Sequence, residues 1–213
     1  MRKYDAVFFD LDGTLSESGE GILWCVRRTI EDLKIVVPEN FRLESFIGPP
    51  LADSFYRLGL DDEKVKLGVK TYKNYYDTKG KYMNKAYDGI KELLERLREK
   101  GYKLGVATSK YELFARQIID NIGLLQYFDF VSGATANAER QKKIDVLNYG
   151  IKNLGATPEN SALIGDTKFD AEGARLCGCG FVGVLYGYGT RKEMEAEGAV
   201  NFAETAGKIE KFL

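Results

Sequence analysis

The 213-residue chain contains no histidine. That absence excludes Ser-His-Asp and Cys-His catalysis, phosphohistidine chemistry and any imidazole general base, so proton transfer falls to carboxylates, lysines or tyrosines. Cysteine is nearly as scarce: Cys25, Cys177 and Cys179 cannot all pair. With no histidine to complete a Cys/His zinc site, they read as small buried residues. A strong charge of either sign is missing too. Lys+Arg (31) against Asp+Glu (32) leaves a net charge of −1, so no global field favours a nucleic acid polymer or an anionic membrane. A small, locally charged substrate is the easier expectation. No apolar run reaches the length of a membrane span or a signal-peptide core, so no membrane association and a cytoplasmic location are expected.

What is present is an ordinary globular composition, 44% hydrophobic and 30% charged, at a length between one and two domains. The organising stretch is Tyr4-Asp5-Ala6-Val7-Phe8-Phe9-Asp10-Leu11-Asp12-Gly13-Thr14-Leu15. Its apolar, β-prone run stops at two aspartates one residue apart, and a Gly-Thr turn follows. This reads as a buried strand delivering carboxylates to the carboxyl edge of a sheet, where open α/β folds place their ligands. If the strand continues through Leu11, Asp10 and Asp12 share a face and repel, which asks for a cation or a proton between them. A strand that merely ends in an Asp-Gly turn has the same pattern.

Apolar residues at helical spacing predict helices over 21–34, 51–58 and 61–79, with Ile47-Gly48-Pro49-Pro50 as a loop. Asp61-Asp62-Glu63 falls in the first turn of the last of these, favourable to the helix dipole. From residue 87 the pattern changes. A helix capped by Asp88 and stopped at Lys100-Gly101 leads into alternating elements: strands over 102–107, 128–132, 162–164 and 181–186, and helices over 112–121, 142–154 and 169–177. Such alternation implies βαβ units and a parallel sheet. The expected architecture is α/β: a Rossmann-like parallel-sheet core flanked by helices, from residues 1–16 and 83–213, with an all-helical cap domain, 17–82, inserted after the first strand. The insertion is expected to overhang the edge carrying Asp10 and Asp12, as a lid hinged at 16–18 and 81–85.

Three further strand or helix ends carry polar groups. Thr108-Ser109-Lys110 offers a hydroxyl and backbone N–H groups entering a helix, which suit a phosphate oxygen, although Ser109 equally reads as a helix N-cap. Gly165-Asp166-Thr167-Lys168-Phe169-Asp170 brings Asp166 to the same sheet edge, with Asp170 one helical turn beyond. Lys142 and Lys143 open a helix, and either one reaches that edge or both are a solvated face. Assembled, the carboxylates suit Mg2+ and the hydroxyl, amides and lysine suit phosphoryl oxygens, the two requirements of phosphoryl transfer.

Asp10-Leu11-Asp12-Gly13-Thr14-Leu15, Val106-Ala107-Thr108-Ser109, a helix-borne lysine and Gly165-Asp166-Thr167-Lys168-Phe169-Asp170, in that order, resemble the four motifs of the haloacid dehalogenase superfamily. The inserted cap, Ser16-Glu17-Ser18-Gly19-Glu20-Gly21-Ile22 and Ile47-Gly48-Pro49-Pro50-Leu51 are similar to its phosphoglycolate phosphatase-like branch. The resemblance spans essentially the whole chain. It implies that Asp10 is the nucleophile and Asp12 the acid and base. Thr108 and Lys143 would bind the transferring group, Lys143 being preferred because Lys143-Ile144-Asp145-Val146-Leu147 resembles the helix start of relatives. Asp10, the Asp12 carbonyl and Asp166 would hold Mg2+, with Asp170 in support. Ser109, Lys110 and, from the cap, Arg57 are candidate substrate contacts. Two departures stand out: Arg140-Gln141-Lys142-Lys143 lacks the proline common at the third motif, and Glu17 replaces a common aspartate.

Asp12 also discriminates among activities, since dehalogenases and phosphonatases of the superfamily lack it. The implied function is phosphomonoester hydrolysis of a small phosphorylated metabolite, phosphoglycolate-like or a nucleoside monophosphate, by a monomer or dimer. A phosphomutase, a pyrophosphatase and a non-catalytic binding module are the alternatives. A mutase is disfavoured because such enzymes usually carry a cap histidine. A dinucleotide fold fails at Gly187-Tyr188-Gly189, which lacks the third glycine.

Overall fold

The computed structural model describes residues 3–137 and 139–213; the Met1-Arg2 start of the expected core lies outside them. The chain divides into two compact units, Met1–Glu17 with Lys85–Leu213, and Ser18–Asn84.

The first unit is built on a six-stranded parallel sheet. Its strands are β1 (Ala6–Phe9), β4 (Lys103–Tyr111), β5 (Phe130–Ala134), β6 (Ser161–Gly165), β7 (Gly180–Val184) and β8 (Phe202–Ala203), in the order β5-β4-β1-β6-β7-β8. All four residues of β1 are buried, as a central strand covered on both faces requires. Helices α4 (Ile90–Glu99), α5 (Glu112–Asn121), α6 (Lys143–Asn153), α7 (Lys168–Cys177) and α8 (Arg191–Ala196) accompany the strands. The chain runs from β1 outward to β4 and β5, then returns through α6 to β6 on the other side of β1. Strand order therefore reverses around β1, and ligands of open α/β sheets bind at the carboxyl ends beside such a reversal. Phe8, Val146, Leu147, Ile151 and Leu163 pack one core cluster behind that edge.

A short antiparallel pair, β2 (Ser16–Glu17) with β3 (Lys85–Ala86), closes the two chain crossings. Neither strand is visible as an apolar pattern in the sequence. The second unit is helical: α1 (Gly19–Asp32), α2 (Leu51–Arg57) and α3 (Asp62–Thr78). Asp61 caps α3, its carboxylate accepting the Lys64 N–H at 2.9 Å, and Phe46 meets Phe55 edge-on with ring centroids 5.1 Å apart.

Four local expectations need correction. The residue capping α4 is Gly89, at φ 79°, not Asp88. Strand β4 continues past Ala107 through Thr108-Ser109-Lys110 to Tyr111, irregularly paired to β5, so α5 starts at Glu112 and Ser109 is neither its N-cap nor part of a helix entrance. Strand β5 sits two residues later than its apolar run suggested, because its pairing to β4 is carried on to Tyr111 opposite Ala134. Of the cysteines only Cys25 is buried; Cys177 and Cys179 are partly exposed.

Candidate active site

Asp10 follows β1 directly, and its backbone N–H still donates to the Ile164 carbonyl at 2.9 Å, which fixes the residue at the sheet edge. The strand does not continue to Asp12. The chain folds into a turn whose Leu15 and Ser16 N–H groups both donate to the Leu11 carbonyl, so Asp12 is carried on the turn and not on a shared strand face. Its Oδ2 pairs with Lys110 Nζ at 2.9 Å, while Oδ1 is buried and accepts no hydrogen bond.

The lysine at the centre is Lys143, the first residue of α6; its neighbour Lys142 is exposed. Asp145 accepts the Lys142 N–H at 3.2 Å, which caps the helix without a proline. From there Lys143 Nζ reaches Asp10 Oδ1 at 2.6 Å, Asp170 Oδ1 at 2.8 Å and the Ala107 carbonyl at 3.0 Å. Asp170 in turn is positioned by its place in the first turn of α7, where Oδ2 accepts the Thr167 N–H at 3.0 Å and the Thr167 hydroxyl at 2.6 Å.

Asp166, just past β6, is wholly buried. Its Oδ1 accepts the Thr14 hydroxyl at 3.1 Å and its Oδ2 the Tyr188 N–H at 2.8 Å. Gly13 allows this closeness: a Cβ there would sit 2.2 Å from Asp166 Oδ2, and its φ of +84° already favours glycine. Carboxylate oxygens of Asp10, Asp166 and Asp170 lie within 4.8 Å of one another.

Three buried acids around one ammonium leave the site short of positive charge. Burial raises the Asp10 carboxyl to about 6, the opposing pull of Lys143 being outweighed with help from Asp170 and Asp12. Burial, then Asp170 and Asp10, push Asp166 up to about 8. Burial works against the Lys143 charge, yet Asp10 and Asp170 outweigh it and hold the ammonium above the ordinary lysine range. A small, hard cation would relieve this deficit, and an all-oxygen donor set of carboxylates fits Mg2+.

Thr108 is buried on β4, the strand beside β1, and its hydroxyl accepts the Lys110 N–H at 3.2 Å. Ser109 is exposed. Arg57 belongs to the helical unit, where its guanidinium donates to the Ser45 carbonyl at 2.7 Å and the Ser54 hydroxyl at 2.9 Å. Sequence reasoning missed Thr14 and Tyr188 as partners of Asp166. Thr14 stood in the first motif and had a visible signal, a hydroxyl at the same turn; a backbone N–H such as that of Tyr188 has none.

The model of the haloacid dehalogenase-like hydrolase family matches residues 7–184. The tyrosine-protein kinase PtkA of Mycobacterium tuberculosis is 37% identical over 183 residues, 86% of this chain but 62% of that protein, so the chain spans less than two thirds of that relative. A 5'-nucleotidase of Pseudomonas aeruginosa is 34% identical over 212 residues, 99% of this chain and 96% of its own length. A phosphoglycolate phosphatase of Aquifex aeolicus is 29% identical over 184 residues, 85% of each chain. Among solved structures, a predicted phosphatase from Clostridium acetobutylicum superposes with a TM-score of 0.90 at 35% identity, covering 99% of this chain and 98% of that one. With Asp10, Thr108 and Asp166 on or just past the adjoining strands β1, β4 and β6, Lys143 opening helix α6, and a family match over most of its length, the chain belongs to the haloacid dehalogenase-like hydrolases, on the phosphoglycolate phosphatase-like side of that family.

Proposed function

We propose that the chain is a Mg2+-dependent phosphomonoester hydrolase that passes the phosphoryl group through Asp10. The observation that carries this reading is the position of Asp10: a carboxylate at the sheet edge, 2.6 Å from the Lys143 ammonium and clustered with two further buried acids. An oxygen nucleophile beside a fixed cation is what attack on an already anionic phosphoryl group needs.

Asp10 attacks phosphorus, and the bond from phosphorus to the leaving oxygen breaks. Asp12 gives that oxygen a proton, so an alcohol departs. Asp12 then takes a proton from water as the water attacks the phosphorus of the aspartyl-phosphate, which releases inorganic phosphate and restores Asp10. Lys110 holds Asp12 Oδ2, while the buried Oδ1 accepts no hydrogen bond, so its lone pairs are not committed to another protein group. Lys143 neutralises the nucleophile and the transferring group, and the Thr108 hydroxyl turns to donate to a phosphoryl oxygen. Asp10, the Asp12 carbonyl and Asp166 would hold Mg2+, with Asp170 supporting through Lys143; when bound, the ion supplies charge neutralisation of the phosphoryl oxygens.

Water is favoured over a tyrosine hydroxyl as acceptor, because the relative covered over almost its whole length is named for nucleotide hydrolysis, whereas the kinase-named relative is covered over 62%. Small phosphorylated metabolites, phosphoglycolate-like or nucleoside monophosphates, are the proposed substrates, and the helical unit with Arg57 is assigned to choosing among them. The test is release of phosphate from a panel of such esters with Mg2+, by wild type and by Asp10→Asn. Turnover by the wild type alone supports the reading; equal turnover by both removes it.

A further inference from the structure

The stretch Tyr186-Gly187-Tyr188-Gly189, unexplained by the dinucleotide comparison and absent from the four motifs, packs against both Asp166 and the Gly13-Thr14 turn. The Tyr188 N–H donates to Asp166 Oδ2 at 2.8 Å. A Cβ at Gly187 would stand 2.4 Å from Asp166 Oδ2 and equally close to the Gly13 carbonyl, so no side chain fits between the two segments. The Tyr186 hydroxyl spans the same gap and donates to the Thr14 carbonyl at 3.0 Å, while the Thr14 hydroxyl donates to Asp166 Oδ1 at 3.1 Å. The Tyr186 ring is itself held, its centroid 4.8 Å from that of Tyr87.

We infer that Tyr186 and Gly187 are positioning residues for the metal ligand Asp166. Each Asp166 oxygen already accepts one hydrogen bond, which fixes the plane of the carboxylate and leaves only the remaining lone pairs for a cation. Tyr186 tethers Thr14 and so one of those two donors; Gly187 lets the other, Tyr188, approach. Groups that orient a metal-binding carboxylate in this way control metal affinity, typically about 10–100-fold on substitution. The inference rests on the proposed role of Asp166 in holding Mg2+.

The experiment is calorimetric titration of Mg2+ into substrate-free protein, with the melting temperature in EDTA measured in parallel, for wild type, Tyr186→Phe, Gly187→Ala and Asp166→Asn. Tyr186→Phe is expected to weaken Mg2+ binding about tenfold and Gly187→Ala about 100-fold, with Asp166→Asn abolishing it. If Asp166→Asn binds Mg2+ as the wild type does, the metal reading itself fails. If Asp166→Asn loses binding while Tyr186→Phe keeps the wild-type affinity, the positioning inference is overturned, whatever happens to the melting temperature. Tyr186→Phe is the decisive variant because it keeps the ring and its packing, so it remains informative should Gly187→Ala not fold.

Discussion

Replacing Lys143 by methionine removes an ammonium within hydrogen-bond reach of two buried carboxylates, 2.6 Å from Asp10 and 2.8 Å from Asp170, while keeping the apolar stem. Breaking a buried pair from one side costs about 3–5 kcal/mol, because the partner is left charged and unpaired. Here two partners are stranded, so about 4–5 kcal/mol is the expected loss at pH 8 without metal. For a chain of this size about 1 kcal/mol moves Tm by about 2–4 °C, which puts the loss at about 8–20 °C. The direction with pH follows from the raised carboxyl groups. A folded-state pKa above the unfolded value, about 3.9 for aspartate, adds stability that is complete below that value and is lost as pH climbs through the folded one. In the wild type that window runs from about 4 through about 6 for Asp10 and about 8 for Asp166. Asp10, at about 6, is already largely protonated at pH 5 in the wild type, and without Lys143 it holds its proton to higher pH still, so the deficit is smaller at pH 5 than at pH 8. Calorimetric melting of wild type and Lys143→Met in EDTA at pH 5 and pH 8 reads both effects. A deficit below about 3 °C at pH 8, or the same deficit at both pH values, would refute the electrostatic account of this cluster.

The other expectations concern the metal and the selection of substrate. Mg2+ should raise the wild-type Tm more at pH 8 than at pH 5, since protons and the ion compete for Asp166; an equal rise at both would speak against that competition. Ca2+ should inhibit Mg2+-supported turnover, because it accepts higher coordination and both oxygens of a carboxylate, drawing Asp10 out of line; Ca2+ supporting full activity contradicts this. Thr108→Ala should depress kcat/KM for all esters by a similar factor, about tenfold or more for a lost hydrogen bond to a charged group, whereas Arg57→Ala should change the ranking of substrates. Parallel losses in both variants defeat the assignment of selectivity to the helical unit.

How much of this was legible in the sequence differs from element to element. The abrupt end of the apolar run at Asp10, and the alternation of strands and helices after residue 87, are strong period signals, and both the parallel sheet and the position of Asp10 follow from them. Lys143 was separable from Lys142 only by its motif context; in space the two differ completely, one buried among carboxylates and the other exposed. Thr108-Ser109 looked like a helix entrance because a hydroxyl before Glu112 is a strong local capping signal. Long-range pairing of Tyr111 with Ala134 overrides it and keeps the segment extended. Asp12 was expected to share a strand face with Asp10, but the turn bonded to the Leu11 carbonyl intervenes, and a turn between two motif residues leaves no periodic trace. The Tyr188 contact was illegible for a simpler reason, since a main-chain donor carries no residue code.

The central claim, that the phosphoryl group passes through Asp10, is tested most directly by trapping it. Enzyme turning over p-nitrophenyl phosphate with Mg2+ is quenched in acid, reduced with borohydride, which converts an aspartyl-phosphate to homoserine, digested and sequenced by mass spectrometry. Homoserine at position 10, lost when Mg2+ is omitted, is the expected result. Phosphate release with unmodified Asp10, or with homoserine at another aspartate, would contradict the account.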